Sequence, residues 1–321
     1  MTLVAVAGPG AVGSWLALEL RRGGHSVRVI PRGGSRPVDL GIVRGDGTTD
    51  FGRFPVITAD EQGTIDAIFF TTKAHDLSEA ASRVAPLQRP GSVMVSLANG
   101  MVLPVWQEMA RRWPHLVWRI GSSVVGLAPV SGKPAGWWAL SPGSPSLTFG
   151  AWTDSGMDRG LPSRRETPSL IEQEIIGSVP VLSWRTDSVA AHWRKWLVNT
   201  CANSIAGVYG LGRNQLVLEH PLLRTAFDEA FALGCEIAGG TDAQGPFGCT
   251  QETAFELLLA TLRATSSGEN SMARDVRLRR RTESAFLAGL AVGRAGYPVL
   301  KMLHANLAVS DLVALQNREK S

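Results

Sequence analysis

Apolar residues recur along this chain in two rhythms. Short runs, Leu3-Val4-Ala5-Val6-Ala7, Ser26 to Ile30, Asp66 to Thr71, Ser92 to Leu97 and Leu116 to Ile120, are bounded by Gly, Pro or Asn and predict strands. Between them lie stretches of helical spacing, the first carrying Trp15, Leu16, Leu18 and Leu20. Such alternation predicts an α/β protein with a parallel, doubly wound sheet, whose ligands bind beyond the carboxyl ends of the strands. The residues that follow each run are therefore the first candidates for chemistry. Farther on, Ala191 to Asn203 is rich in Trp, Leu, Val and Ala and reads as a largely buried helix.

The first run leads directly into Gly8-Pro9-Gly10-Ala11-Val12-Gly13, and an apolar helical stretch follows. Strand, G-x-G-x-x-G and helix in that order predict a dinucleotide-binding turn. Gly8 permits the tight turn, Gly10 lets the backbone approach a pyrophosphate, and Gly13 lets helix and strand pack closely. The helix N-terminus offers unpaired N–H groups to the anion.

After the second run stands Pro31-Arg32, where an NAD-binding protein keeps an acidic residue for the ribose 2′-hydroxyl. A guanidinium pairs with a 2′-phosphate that a carboxylate would repel, so Arg32 favours NADPH, with Arg36 as a second candidate. The competing reading is a surface arginine without a ligand. Thr71-Thr72-Lys73 follows the third run and Ala98-Asn99-Gly100-Met101 the fourth. Lys73 is a candidate for cofactor phosphate or ribose, and Asn99 for an amide aimed at nicotinamide and substrate; singly, each is equally an ordinary turn residue.

Three polar residues interrupt the apolar helix: Lys195, Asn199 and Asn203. At about 100° per residue, steps of four and eight place them within roughly 80° on one stripe. An ammonium and two amides there are costly to bury unless they meet a ligand or each other. Alternatively Lys195 snorkels and the asparagines satisfy loop backbone. Near the C-terminal end, Ser271-Met272-Ala273-Arg274-Asp275 precedes a predicted helical run with Thr282, Glu283 and Phe286, in which Glu283 pairs with Arg279 or Arg280 at helical spacing.

Composition narrows the class. The 321 residues suffice for two domains, and 44% hydrophobic with 19% charged content suits a globular enzyme. The net charge of +4 is spread along the chain apart from Arg277, Arg279, Arg280 and Arg281, read as a solvated helix face, so nucleic acid is not an expected partner. Cys201, Cys235 and Cys249 show neither disulfide nor zinc spacing, and the histidines show no metal-ligand spacing; no metal is expected. No basic region precedes the first apolar run, and no apolar stretch approaches the ~18 residues of a membrane span, so a cytoplasmic location is expected.

Taken together, Gly8-x-Gly10-x-x-Gly13, Arg32, Thr72-Lys73-Ala74, Asn99-Gly100-Met101, Trp193-Arg194-Lys195-Trp196-Leu197-x-Asn199-x-x-x-Asn203, Ser271-Met272-x-x-Asp275 and Thr282-Glu283 strongly resemble the ketopantoate reductase family. The resemblance implies an NADPH-dependent 2-oxo acid reductase with a Rossmann-type domain (residues 1–186) and an all-helical domain similar to that of 6-phosphogluconate dehydrogenase (187–321). By motif match it implies that Lys195 donates the proton and that Asn199, Asn203 and Ser271 hold the substrate. Asn99 would touch substrate and cofactor, Glu283 would lie against the cofactor and orient the reacting groups, and Gly126 would line the cofactor.

The chain departs from the family where Ser204 replaces a common proline, Gly268 an asparagine, and Arg213, beside Asn214, another asparagine. Those changes fall on the substrate side. Ketopantoate leads, with a different 2-oxo acid or an imine as one alternative and a non-catalytic NADPH sensor as another. The segment Thr153 to Thr167 reads as a surface loop or a partner interface, and a homodimer stays open.

Overall fold

The computed structural model describes residues 1–58, 61, 63–141, 143, 145–151, 167–239, 245–266 and 268–318, the side chains of 317 and 318 excepted. Of the segment Thr153 to Thr167, only Thr167 falls among them. The chain divides into two compact units, the first holding Met1–Ala98, 102–151 and 167–189, the second Asn99–Met101 and the chain from Ala190 onward.

The first unit contains β1 (Leu3–Ala7), α1 (Ala11–Arg22), β2 (Ser26–Ile30), β3 (Val38–Val43), β4 (Thr49–Phe54), β5 (Ala67–Phe70), α2 (Ala74–Val84), β6 (Val93–Ser96), α3 (Leu103–Arg112), β7 (Val117–Val124), β8 (Leu127–Pro129), β9 (Trp137–Leu140), β10 (Ser146–Gly150), α4 (Leu170–Ser178) and β11 (Leu182–Trp184). Its main sheet has the order β11-β10-β7-β6-β5-β1-β2. All neighbours are parallel except β10 and β7, which pair antiparallel with Gly121 opposite Phe149. β5 and β6 are buried at every position, as strands covered on both faces must be.

A second sheet, β4-β3-β9-β8, is the part the sequence pattern does not announce. Its inward residues Leu40, Ile42 and Phe54 are buried in the same core as Val4, Val6 and Val29, with α1 packed against strands of both sheets. That position explains why α1 is buried continuously from Gly13 to Leu20 and not along one stripe. Even Glu19 is buried, paired with Arg22 and Arg44.

The second unit is helical from Ala190 onward: most of α5 (Ser188–Tyr209), then α6 (Asn214–Leu218), α7 (Leu223–Ala238), α8 (Gln251–Ala264), α9 (Ser271–Arg277) and α10 (Pro298–Arg318). The span Pro298–Gln316 of α10 does reach the length and composition of a membrane-crossing helix, contrary to the reading that no apolar stretch comes near it. Its Leu300, Leu303, Leu307 and Ala314 are buried within this unit, whereas Val309, Leu312, Val313 and Leu315 are exposed.

The run carrying Glu283 is not the continuous helix that the pattern predicts. α9 ends at Arg277, Arg279 takes a left-handed φ of 51°, and two short turns, Ser284–Phe286 and Ala288–Ala291, follow before α10. Arg279, Arg280 and Arg281 thus lie on a turn and not on a helix face, and no helical spacing links them to Glu283.

Candidate active site

In the first unit Gly8 and Gly13 have the steric need for glycine that their spacing implies. Gly8 has φ +84°, and a Cβ there would lie 2.8 Å from Thr72 Cγ2. At Gly13 a Cβ would lie 2.5 Å from the Gly8 carbonyl and 2.6 Å from Thr71 Oγ1, so only glycine lets α1 start this close to β1. Gly10 is different: a Cβ would meet no protein atom nearer than 4.0 Å, so its backbone stands open. It is the N-cap of α1, no side chain caps it, and no acidic residue lies in the first turn. Open backbone over an uncapped helix start free of acid fits a pyrophosphate, with Pro9, Ala11 and Val12 completing the turn. Thr71, at the end of the third run, donates its hydroxyl to the carbonyls of Ala7 (3.0 Å) and Gly8 (2.7 Å) and pins the loop.

Arg32 follows β2 directly. Arg83 of α2 donates to the carbonyls of Pro31 (2.9 Å) and Arg32 (3.1 Å) and fixes that backbone, while the half-exposed Arg32 guanidinium pairs with Asp76. Lys73 is the N-cap residue of α2. Gly126 owes its missing side chain to Ser141, whose Cβ and Oγ would each lie 2.8 Å from a Cβ there.

The second unit holds the other candidates. Lys195, Asn199 and Asn203 lie on α5 at the helical spacing of one stripe. Burial pushes the Lys195 ammonium down to about 8, against the opposing attraction of Glu283. Glu283, itself buried, is not aligned by a helix but by its flanks. Asp311 of α10 accepts from the Thr282 backbone N–H (2.6 Å) and the Thr282 hydroxyl (3.0 Å), and from Ser284 Oγ at 3.5 Å.

Asn99-Gly100-Met101 belongs to this unit as well. Met101 N–H donates to the Phe286 carbonyl (2.8 Å), which also accepts from Trp196 Nε1 (3.2 Å). Gly100 has φ +85°, and a Cβ would come within 2.6 Å of Phe286 Cβ. Asn199 Nδ2 donates to Asn99 Oδ1 at 3.4 Å. His192 was not among the candidates, since a histidine beside a tryptophan on an apolar helix carries no distinguishing pattern. It donates to the Gly100 carbonyl and is held neutral, pushed down to about 3 by burial and by the charge of Lys195.

Ser271 opens α9, capped by Asn270, whose Oδ1 accepts from Met272 and Ala273 N–H. Asn203 reaches this cap: its Oδ1 accepts from Asn270 Nδ2 at 3.0 Å. The structure therefore brings Lys195, Glu283, Asn99, Asn199, Asn203 and Ser271 into one unit and the glycine turn, Arg32, Lys73 and Gly126 into the other.

Two family models match this chain, ketopantoate reductase PanE/ApbA over residues 4–128 and its C-terminal part over residues 187–310. The chain belongs to the ketopantoate reductase family. As a member it is an NADP-dependent oxidoreductase of α/β fold. The family's 2-dehydropantoate 2-reductase of Vibrio cholerae is 24% identical over 292 residues, 90% of this chain and 89% of that protein. That of Yersinia pestis is 28% identical over 118 residues, 37% of this chain and 36% of the relative. Among solved structures, the probable 2-dehydropantoate 2-reductase of Bacillus subtilis superposes with a TM-score of 0.70 at 18% identity, covering 96% of this chain and 99% of that one. A D-mandelate dehydrogenase solved with NADH and anilino(oxo)acetate reaches 0.73 at 15% identity, covering 98% and 99%.

Proposed function

We propose that this chain reduces 2-dehydropantoate (ketopantoate) to pantoate with NADPH, Lys195 being the proton donor. The observation that carries the reading is a partly buried lysine whose pKa is brought down to about 8 by desolvation, in line on α5 with two amides. When bound, NADPH supplies a hydride for the ketone carbon. Charge then develops on the substrate oxygen, where the Lys195 ammonium stabilises it and gives up one Nζ proton, leaving a neutral amine that regains its proton from water. Glu283 partly offsets the cost of keeping that ammonium charged in a buried site. Asn99, Asn199, Asn203 and Ser271 supply hydrogen bonds for the carboxylate and the side-chain hydroxyl of the substrate.

The 24% identity to the V. cholerae relative over 90% of this chain supports ketopantoate, while Arg213 and Gly268, standing where asparagines are common, make the substrate the point to test. NADPH oxidation with ketopantoate is expected to show the highest kcat/KM among straight-chain, acidic and aromatic 2-oxo acids; a higher value with any other acid moves the assignment to that substrate. The cofactor reading rests on Arg32. Arg32→Asp is expected to weaken NADPH binding about tenfold or more and to leave NADH within about threefold, because only the 2′-phosphate needs the guanidinium. Equal weakening of both cofactors, measured by fluorescence titration, rejects Arg32 as the phosphate reader.

A further inference from the structure

Asn270 lies outside every motif named above, yet its hydrogen bonds admit a single orientation. It is 3% exposed. One of its amide atoms accepts from two backbone N–H groups, Met272 at 3.0 Å and Ala273 at 3.2 Å, so that atom is oxygen. The other atom is therefore the nitrogen, and its two hydrogens go to Asn203 Oδ1 at 3.0 Å and Asn214 Oδ1 at 3.1 Å. Asn214 agrees independently, because its own Nδ2 donates to the Thr265 hydroxyl (3.0 Å) and carbonyl (3.4 Å), leaving only its oxygen for Asn270. The backbone holds the pieces in place, with Asn270 N–H on the Gly212 carbonyl at 3.1 Å.

Asn203 is thus deprived of a choice. Turning its amide over would set NH2 against NH2 and strand the buried Asn270 donor. Its oxygen is committed to Asn270, and no other hydrogen bond engages its nitrogen among the described residues. We propose that Asn270 is a positioning residue that fixes the polarity of the substrate site, making Asn203 a hydrogen-bond donor on the stripe it shares with Lys195. A stripe that offers an ammonium and an oriented NH2 takes an acceptor, the carboxylate or hydroxyl oxygen of a 2-oxo acid, and disfavours a substrate that presents only a donor there. The inference rests on the proposed reading of α5 as the substrate-binding helix.

Two substitutions separate orientation from folding. Asn270→Asp keeps the oxygen that accepts from both cap N–H groups but replaces the NH2 donor with a second oxygen, so Asn203 turns its NH2 inward and shows its oxygen to the substrate. Asn270→Ser keeps a good N-cap and removes the donor without adding charge. The expected result is a KM for ketopantoate raised about tenfold or more in Asn270→Asp and several-fold in Asn270→Ser, with kcat within about threefold and NADPH affinity unchanged. An unchanged KM in both folded variants overturns the proposal.

Side-chain amide exchange in the unaltered protein, followed by NMR, decides the same point without turnover. The Asn270 NH2 is expected to be protected and the Asn203 NH2 open to solvent; the reverse pattern overturns the proposal. A protein that shows the expected exchange but turns over no 2-oxo acid refutes the proposed function and leaves the orientation standing.

Discussion

Lys195→Ala is expected to lower kcat by about 10²–10⁴, the range a positioned proton donor contributes, while NADPH affinity stays nearly constant. The mutation removes the proton and the positive charge that meets the developing alkoxide. It also takes a positive charge from beside the buried Glu283, so Tm is measured alongside the kinetics. That combination separates a chemical role from a structural one. Steady-state kinetics with a small primary amine added are expected to recover part of the loss, because the amine supplies a proton where Nζ stood. A variant with kcat within about threefold of the parent removes Lys195 from the mechanism.

The same lysine has a thermodynamic signature. Its pKa is about 8 in the folded protein against 10.5 for an ordinary lysine, so between those values the unfolded chain binds more protons. Stability therefore rises with pH across that window, and the rise is absent in Lys195→Ala.

The largest effect on stability is expected within the first unit, at Arg119 and Glu172. Arg119 on β7 is 0% exposed and Glu172 on α4 1%. They form a two-pronged pair, Nε to Oε1 at 2.6 Å and Nη2 to Oε2 at 3.1 Å, with the guanidinium over the ring of Trp184. Glu172 also closes a capping box with Ser169. Glutamine can keep that box, so Glu172→Gln isolates the loss of charge.

The uncompensated guanidinium is then buried, at a cost of about 3–5 kcal/mol, and Tm is expected to fall by roughly 5–15 °C in calorimetry. A change below about 1 kcal/mol would mean that water reaches Arg119 and relieves it.

What could be read from the chain alone follows from how local each constraint is. Gly8, Gly10 and Gly13 announce themselves because a left-handed φ and two close approaches within a few residues leave glycine little competition. The α5 stripe is equally local, since Lys195, Asn199 and Asn203 share a face by helical geometry alone. The second sheet was hidden because it is assembled from distant pieces: β3 pairs with β9, Gly41 opposite Trp137, and no residue near Val38 predicts that partner. Glu283 was placed on a helix because its arginine neighbours fall at helical spacing, whereas the left-handed Arg279 breaks the helix and Asp311 of α10 holds the segment instead. Asn270 went unnoticed since an asparagine before a helix is an ordinary cap; only its two distant partners, Asn203 and Asn214, give it a further task.

The central claim is that Lys195, with its lowered pKa, protonates the product of 2-oxo acid reduction, and it is tested most directly by kcat for NADPH oxidation with ketopantoate across roughly pH 6–10. The account predicts turnover that is level in the lower range and falls about tenfold per pH unit once Lys195 loses its proton, above about 8. No turnover with ketopantoate, or a rate that stays level through pH 10, would contradict it.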